Sequence, residues 1–147
     1  MILDERNEFG DAATLVGDAA STYVLGDVIN LGATARDIGN GEPLYLVIQI
    51  DTLVAATGGA ANVTFKLVSD STDNLATSPT VHWSSPAIAK GTLVAGYLVA
   101  AIALPMGSYE RYLGVTYTPD TNNITSGKAN AFLTKDVATW AAYADAI

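Results

Sequence analysis

The chain contains no cysteine and a single histidine, His82. Charged residues make up only 15% of its 147 positions while half are hydrophobic, against the roughly 25% charged usual in soluble domains. The missing cysteine excludes a disulfide framework, a thiolate metal site and a thiol nucleophile. One histidine excludes a multi-histidine metal centre and the paired-histidine zinc motif. A Ser-His-Asp arrangement would have to use His82, but no Gly-x-Ser-x-Gly elbow is present and His82 falls in a predicted strand beside Trp83. The plainer expectation is a surface or interface histidine. Long hydrophobic runs are lacking too. Leu93 to Leu104 is the longest, about 12 residues ending at Pro105, short of the roughly 20 that cross a bilayer, and it is expected to be a buried strand.

Nucleotide loops fail by position. Ser126-Gly127-Lys128 echoes the end of a phosphate loop, but Asn122 stands where the first glycine is needed and Ala129 where a metal-binding hydroxyl is needed. It is expected to be a turn entering a strand. Gly39-Asn40-Gly41 starts a dinucleotide fingerprint that goes no further. Asp70-Ser71-Thr72-Asp73-Asn74 spaces oxygen ligands like a calcium loop, yet Leu75 replaces the required glycine and no glutamate closes the ring. An acidic turn is the simpler reading, with a weak ion site near Asp70 and Asp73 left open. No cofactor and no metal are expected, and no enzymatic activity.

Cations are scarce as well. Fifteen acidic and seven basic side chains give a net charge of −8, and Arg6, Arg36, Lys66, Lys90, Arg111, Lys128 and Lys135 are scattered along the chain. Phosphate neutralisation needs clustered Lys and Arg, so neither nucleic acid nor a membrane is an expected partner. The start, Met1-Ile2-Leu3-Asp4-Glu5-Arg6, lacks the basic stretch and apolar run of a secretory signal, which points to synthesis in the cytoplasm.

What is there is β-forming. Short runs rich in β-branched and aromatic residues, separated by Gly, Pro, Asn, Asp and Ser, predict strands at Val28–Leu31, Pro43–Asp51, Asn62–Ser69, Thr80–Ser84, Ala87–Ala89, Tyr97–Leu104, Arg111–Thr118 and Lys128–Thr134, with a further one around Asn123–Thr125. Val63, Phe65 and Leu67 alternate with Asn62, Thr64 and Lys66, the pattern of one buried and one wet face. Leu44, Leu46, Ile48 and Ile50 share one face while Tyr45 and Val47 make the other apolar as well, so both faces need cover. Tyr97–Leu104 has the same two-sided character. Only Val137, Trp140 and Ala141 hint at helical spacing. The expected fold is all-β: a single antiparallel two-sheet sandwich of the jelly-roll kind, with an extended N-terminal arm over 1–27, the sandwich over 28–134 and a short C-terminal tail over 135–147.

Several stretches resemble a known family. They are Met1-Ile2-Leu3-Asp4-Glu5-Arg6-Asn7-Glu8-Phe9, Gly26-Asp27-Val28-Ile29, Gly39-Asn40-Gly41-Glu42-Pro43-Leu44-Tyr45-Leu46-Val47-Ile48, Tyr109-Glu110-Arg111-Tyr112-Leu113-Gly114, Gly127-Lys128-Ala129-Asn130-Ala131-Phe132-Leu133-Thr134, and Trp140 with Tyr143-Ala144-Asp145-Ala146. Together they resemble the jelly-roll capsid cement, or decoration, proteins of tailed bacteriophages, typified by that of a short-tailed Bordetella phage. Ala144 departs from the family pattern, which has a proline after the tyrosine. The resemblance implies a subunit on the outer surface of the virion that ties neighbouring major capsid proteins together once packaged DNA strains the shell.

Within that frame the candidate interface residues are Ile2, Leu3 and Phe9 as arm anchors, Trp140 and Tyr143 as tail anchors, and Glu110 with Arg111 as polar contacts. The implied partners are the major capsid protein and further copies of the chain, as a dimer or a trimer. The alternative is a carbohydrate- or receptor-binding sandwich of a phage fibre, with Trp83, Tyr97 or Tyr112 as a stacking platform.

Overall fold

A computed structural model of the chain describes residues 5–34, 36–38 and 41–137. A 3₁₀ turn, Glu5–Asn7, leads into twelve strands: β1 (Glu8–Thr14), β2 (Tyr23–Val24), β3 (Ile29–Asn30), β4 (Arg36–Asp37), β5 (Tyr45–Ala56), β6 (Asn62–Asp70), β7 (Thr80–Ser84), β8 (Ile88–Ala89), β9 (Leu98–Ala103), β10 (Ser108–Tyr109), β11 (Tyr112–Asp120) and β12 (Ile124–Thr134). One sheet has the order β1-β12-β5-β9. The second runs β2-β11-β6-β7, with β3 also paired to β11 and β8 to β6. A two-stranded ribbon joins β10 to β4.

All pairings are antiparallel, and one set of them nests. The first strand pairs with the last, β2 and β3 with β11, β5 with β9, and β6 with β7. A long hairpin rolled so that its two arms alternate between two sheets produces this set, which is the jelly-roll arrangement.

The core lies between the sheets. Leu46, Ile48 and Ile50 from β5 meet Val63, Phe65 and Leu67 from β6, with Leu113, Val115 and Tyr117 from β11 and Ala129, Ala131 and Leu133 from β12. The predicted alternation of Asn62–Ser69 holds as far as Leu67. Beyond it Val68 and Asp70, on the face expected to be wet, are buried as well. The reason is the loop after β6, which folds Leu75 onto the opposite face of the sheet. A Cβ added at Gly114 would lie 2.4 Å from the Leu75 Cδ1, so only glycine leaves room for that contact.

The two-sided character of Leu44–Ile50 is confirmed. Leu46, Val47, Ile48, Gln49 and Ile50 are all buried, and Val47 sits opposite Phe132, also buried, on the face turned away from the main core. Tyr97–Leu104 departs from expectation. Its strand is β9, at the edge of its sheet, with Leu98 46% exposed and Ala101 and Ala103 also exposed. Apolar composition on both faces marks a central strand only if another strand or layer is available to cover it.

The N-terminal region also differs from the expected arm. Residues 8–27 are part of the sandwich: β1 pairs with β12, β2 with β11, and Phe9, Leu15 and Leu25 are core residues. Scattered anchors without alternation correspond here to a bulged strand, with register breaks between Glu8 and Gly10 and between Gly10 and Ala13. Ser126-Gly127-Lys128 lies inside β12, not at a turn, because the ninth predicted strand and Lys128–Thr134 are one strand broken by register shifts. Gly127 takes φ of 150° there, and a Cβ on it would come within 2.9 Å of the Val54 Cγ2. The expected tail is described only to Val137.

Candidate interaction surfaces

Of the seven candidate interface residues, Ile2, Leu3, Trp140 and Tyr143 lie outside the described residues. Phe9 is fully buried in the core of its own chain, so the described structure gives it no surface to offer a neighbour. Its position follows from β1 being a sheet strand.

Glu110 and Arg111 are adjacent in sequence but are held by different parts of the molecule. Glu110 belongs to a polar cluster that links β6, β7 and β10. Its carboxylate accepts a hydrogen bond from the Thr80 hydroxyl at 2.9 Å, and its backbone N–H donates to the Ser69 Oγ at 3.1 Å. The same Oγ lies 2.7 Å from His82 Nε2. The His82 ring stacks on Tyr109, with centroids 4.0 Å apart, and the Tyr109 hydroxyl donates to the Pro105 carbonyl. Arg111 is exposed. Its guanidinium lies 5.0 Å from the centre of the Tyr112 ring, and its Nε donates to Asn30 Oδ1 at 3.4 Å. The two side chains therefore form separate features of one surface region.

A serine and a histidine at 2.7 Å have the spacing of a nucleophile and its base. Ser69 is fully buried, however, so no substrate carbonyl can approach it along an open path. The arrangement braces three strands. Burial pushes the His82 pKa below its ordinary 6.5, while the Glu110 carboxylate nearby pulls it back up. The neutral ring is thus favoured at neutral pH.

Asp70 organises the loop that carries Leu75. Its Oδ1 accepts from the Ser71 hydroxyl and the Thr72 N–H, and its Oδ2 from the N–H groups of Thr77 and Ser78 at 2.9 and 3.2 Å. Burial raises its pKa, but these donors together hold it below the usual carboxylate value. The loop read as a calcium-like spacing thus uses its first carboxylate as an internal clasp. Among the described residues no group of three or more His, Asp or Glu side chains converges as a metal site.

Loop 70–79 also walls a groove of about 340 Å³ on the outer face of the second sheet. Tyr23, Val24, Lys66, Val68, Leu75 and Val81 line most of it. Composition alone gave no pointer to this groove, since it exists only because Leu75 crosses the sheet. The aromatic residues of the stacking alternative are dispersed: Trp83 and Tyr97 are half-buried against the core, and Tyr112 carries Arg111 over its ring.

Comparison with known proteins adds one match. A protein-family profile described as Bbp16 covers residues 9–133, from the second residue of β1 to the last but one of β12. No curated protein matches the chain.

Proposed function

The chain belongs to the Bbp16 family, a family of phage proteins, and from that premise we propose that it is a capsid cement protein. In this role it binds the outer surface of the phage head, ties neighbouring major capsid proteins together and stabilises the shell. The observation that carries the reading is the family match over the whole jelly-roll, on a chain whose residues favour association over chemistry.

Two physical features support it. A net charge of −8 disfavours contact with DNA and favours basic patches on a protein shell. Exposed apolar side chains such as Leu53, Val81, Leu98 and Met106 supply contact area that charge repulsion alone would leave unused. Many individually weak contacts on a repeating lattice then add up through multivalency, and free strand edges can extend a neighbour's sheet through main-chain hydrogen bonds.

Co-sedimentation with empty heads of the phage that encodes the chain tests the reading. The protein is expected to pellet with assembled shells, to remain in solution with unassembled coat subunits, and to bind less as salt rises. A protein that stays in the supernatant with its own shells at low salt would overturn the proposal.

A further inference from the structure

The groove on the outer face of the second sheet has a wall that is fixed in advance. Leu75, which forms part of it, takes φ of 52°, a backbone region that is strained for a bulky residue and persists only where its surroundings hold it. They do so from two sides. Asp70 accepts hydrogen bonds from Ser71, Thr72, Thr77 and Ser78 of the same loop, and Gly114 beneath leaves the space that the Leu75 Cδ1 fills. A wall held in this way lowers the ordering cost that a partner would otherwise meet on binding.

Among the described residues Lys66 is the only charged one that lines the groove. It lies on β6, half-buried, opposite Thr116 of β11 and Ser84 of β7, so no carboxylate faces it across either ladder. The one ion pair among the described residues joins Lys135 to Glu42, and Lys66 has none. The acidic residues at the ends of β6 and β11 are turned to their own chain: Asp70 holds its loop, and Asp120 accepts from Asn62 and Thr121. On a molecule with a net charge of −8, the charge of this groove is therefore positive. It is set among the apolar side chains of Val24, Val68, Leu75 and Val81.

We propose that this groove docks a segment of a partner protein that presents one aliphatic side chain beside one carboxylate. The aliphatic group lies against Val68, Leu75 and Val81, and the carboxylate pairs with the Lys66 ammonium, whose apolar stem lines the groove. Charge selects this occupant. A half-buried cation without a counter-ion gains more from a carboxylate in an apolar setting than it would in open water. A basic segment would be repelled by Lys66, and a strongly acidic one would meet a single cation and the acidic remainder of the molecule. Size selects it too: about 340 Å³ is near the lower end of the roughly 300–1,000 Å³ of ligand pockets, room for a side chain or two. Val81, 51% exposed in the free chain, gains cover when the groove is filled. In the proposed function the segment belongs to the coat protein of the shell, and to that extent this inference rests on that reading.

Shell binding by Lys66→Glu is the experiment, because two sources of attraction then move in opposite directions. The substitution makes the chain more acidic, so general attraction to basic patches would tighten binding, whereas loss of the groove's cation weakens it. Co-sedimentation over a range of protein concentrations is expected to show an affinity for shells reduced about tenfold or more, the scale of removing one partner of a desolvated charge pair, with an unchanged circular dichroism spectrum. Val81→Asp, which puts a carboxylate on the apolar wall, is expected to weaken binding as well. Unchanged or tighter binding by Lys66→Glu overturns the proposal and leaves the cement role standing. Lysine acetylation of the unaltered chain, read by mass spectrometry, gives a second measurement should the variants misfold. Lys66 is expected to lose its labelling on shells, and equal labelling on and off shells also overturns the proposal. An unaltered chain that fails to bind shells overturns the cement role and this occupant together.

Discussion

β5 and β9 are hydrogen-bonded neighbours in one sheet and almost equally apolar, yet their environments are opposite. β5 keeps Leu46, Val47, Ile48, Gln49 and Ile50 buried, whereas β9 leaves Leu98, Ala101 and Ala103 exposed. The difference comes from position. β5 has β12 on one side and β9 on the other, so its hydrogen bonds and both faces are covered. β9 has β5 alone. Side-chain pattern reports how many faces a strand would like covered, and only topology reports how many are.

The contrast predicts its largest effect in β5. Ile48 is fully buried at the centre of the core, so Ile48→Ala should cost about 2–5 kcal/mol, the usual range for such truncations. Urea unfolding measures it through a lower midpoint at unchanged slope. A cost below about 1 kcal/mol, the scale of an ordinary substitution, would mean that the core around β5 is looser than the register implies. A smaller loss belongs to β12, the strand on β5's other side. Gly127→Val forces a branched side chain into φ of 150° and onto Val54, for an expected cost of about 1–3 kcal/mol. The same denaturation experiment, run beside the exposed Gly59→Val, separates strain from a general effect of losing glycine.

These particulars also show what could be read from residues alone. The alternation in 62–67 and the double-sided run at 44–50 announced two central strands, and Thr80–Ser84 was delimited to the residue. Strong side-chain patterns leave a trace because burial in the sheet selects for them. β1 left none: its residues Glu8–Thr14 are mostly small or acidic, and it is held by pairing with β12 more than a hundred residues away. β2, β3, β4 and β10 are two-residue strands, too short for any period. The polar cluster was half visible. Glu110 was singled out by family resemblance, but Ser69, Tyr109 and Thr80 join it only through the rolled topology.

pH sharpens the comparison from the second sheet, where titratable groups are buried. His82 has its folded pKa lowered by burial, so in the window between that value and the ordinary 6.5 the unfolded chain binds more protons than the folded one. Stability from the neutral ring is therefore full above 6.5 and is lost as pH falls toward the folded pKa. His82→Phe keeps a ring against Tyr109 and removes this part of the slope. Asp70 acts lower on the scale: its depressed pKa gives stability present above about 3.8 and lost on further acidification. Unfolding midpoints collected across the pH range should fall in both windows, and Asp70→Asn should shrink the acid fall to what other carboxylates contribute, Glu42 among them, which Lys135 also holds below its usual value. An Ile48→Ala protein should keep both, since no titrating group is altered in the first sheet.

The smallest effect is expected at the exposed edge itself. Leu98→Ser removes a side chain that the folded monomer leaves 46% exposed, so at concentrations too low for association its stability should change by no more than about 0.5 kcal/mol, the scale of surface substitutions. The same urea unfolding measures it. A loss close to that of Ile48→Ala would mean that β9 is packed as β5 is, and position in the sheet would then not be what separates the two strands.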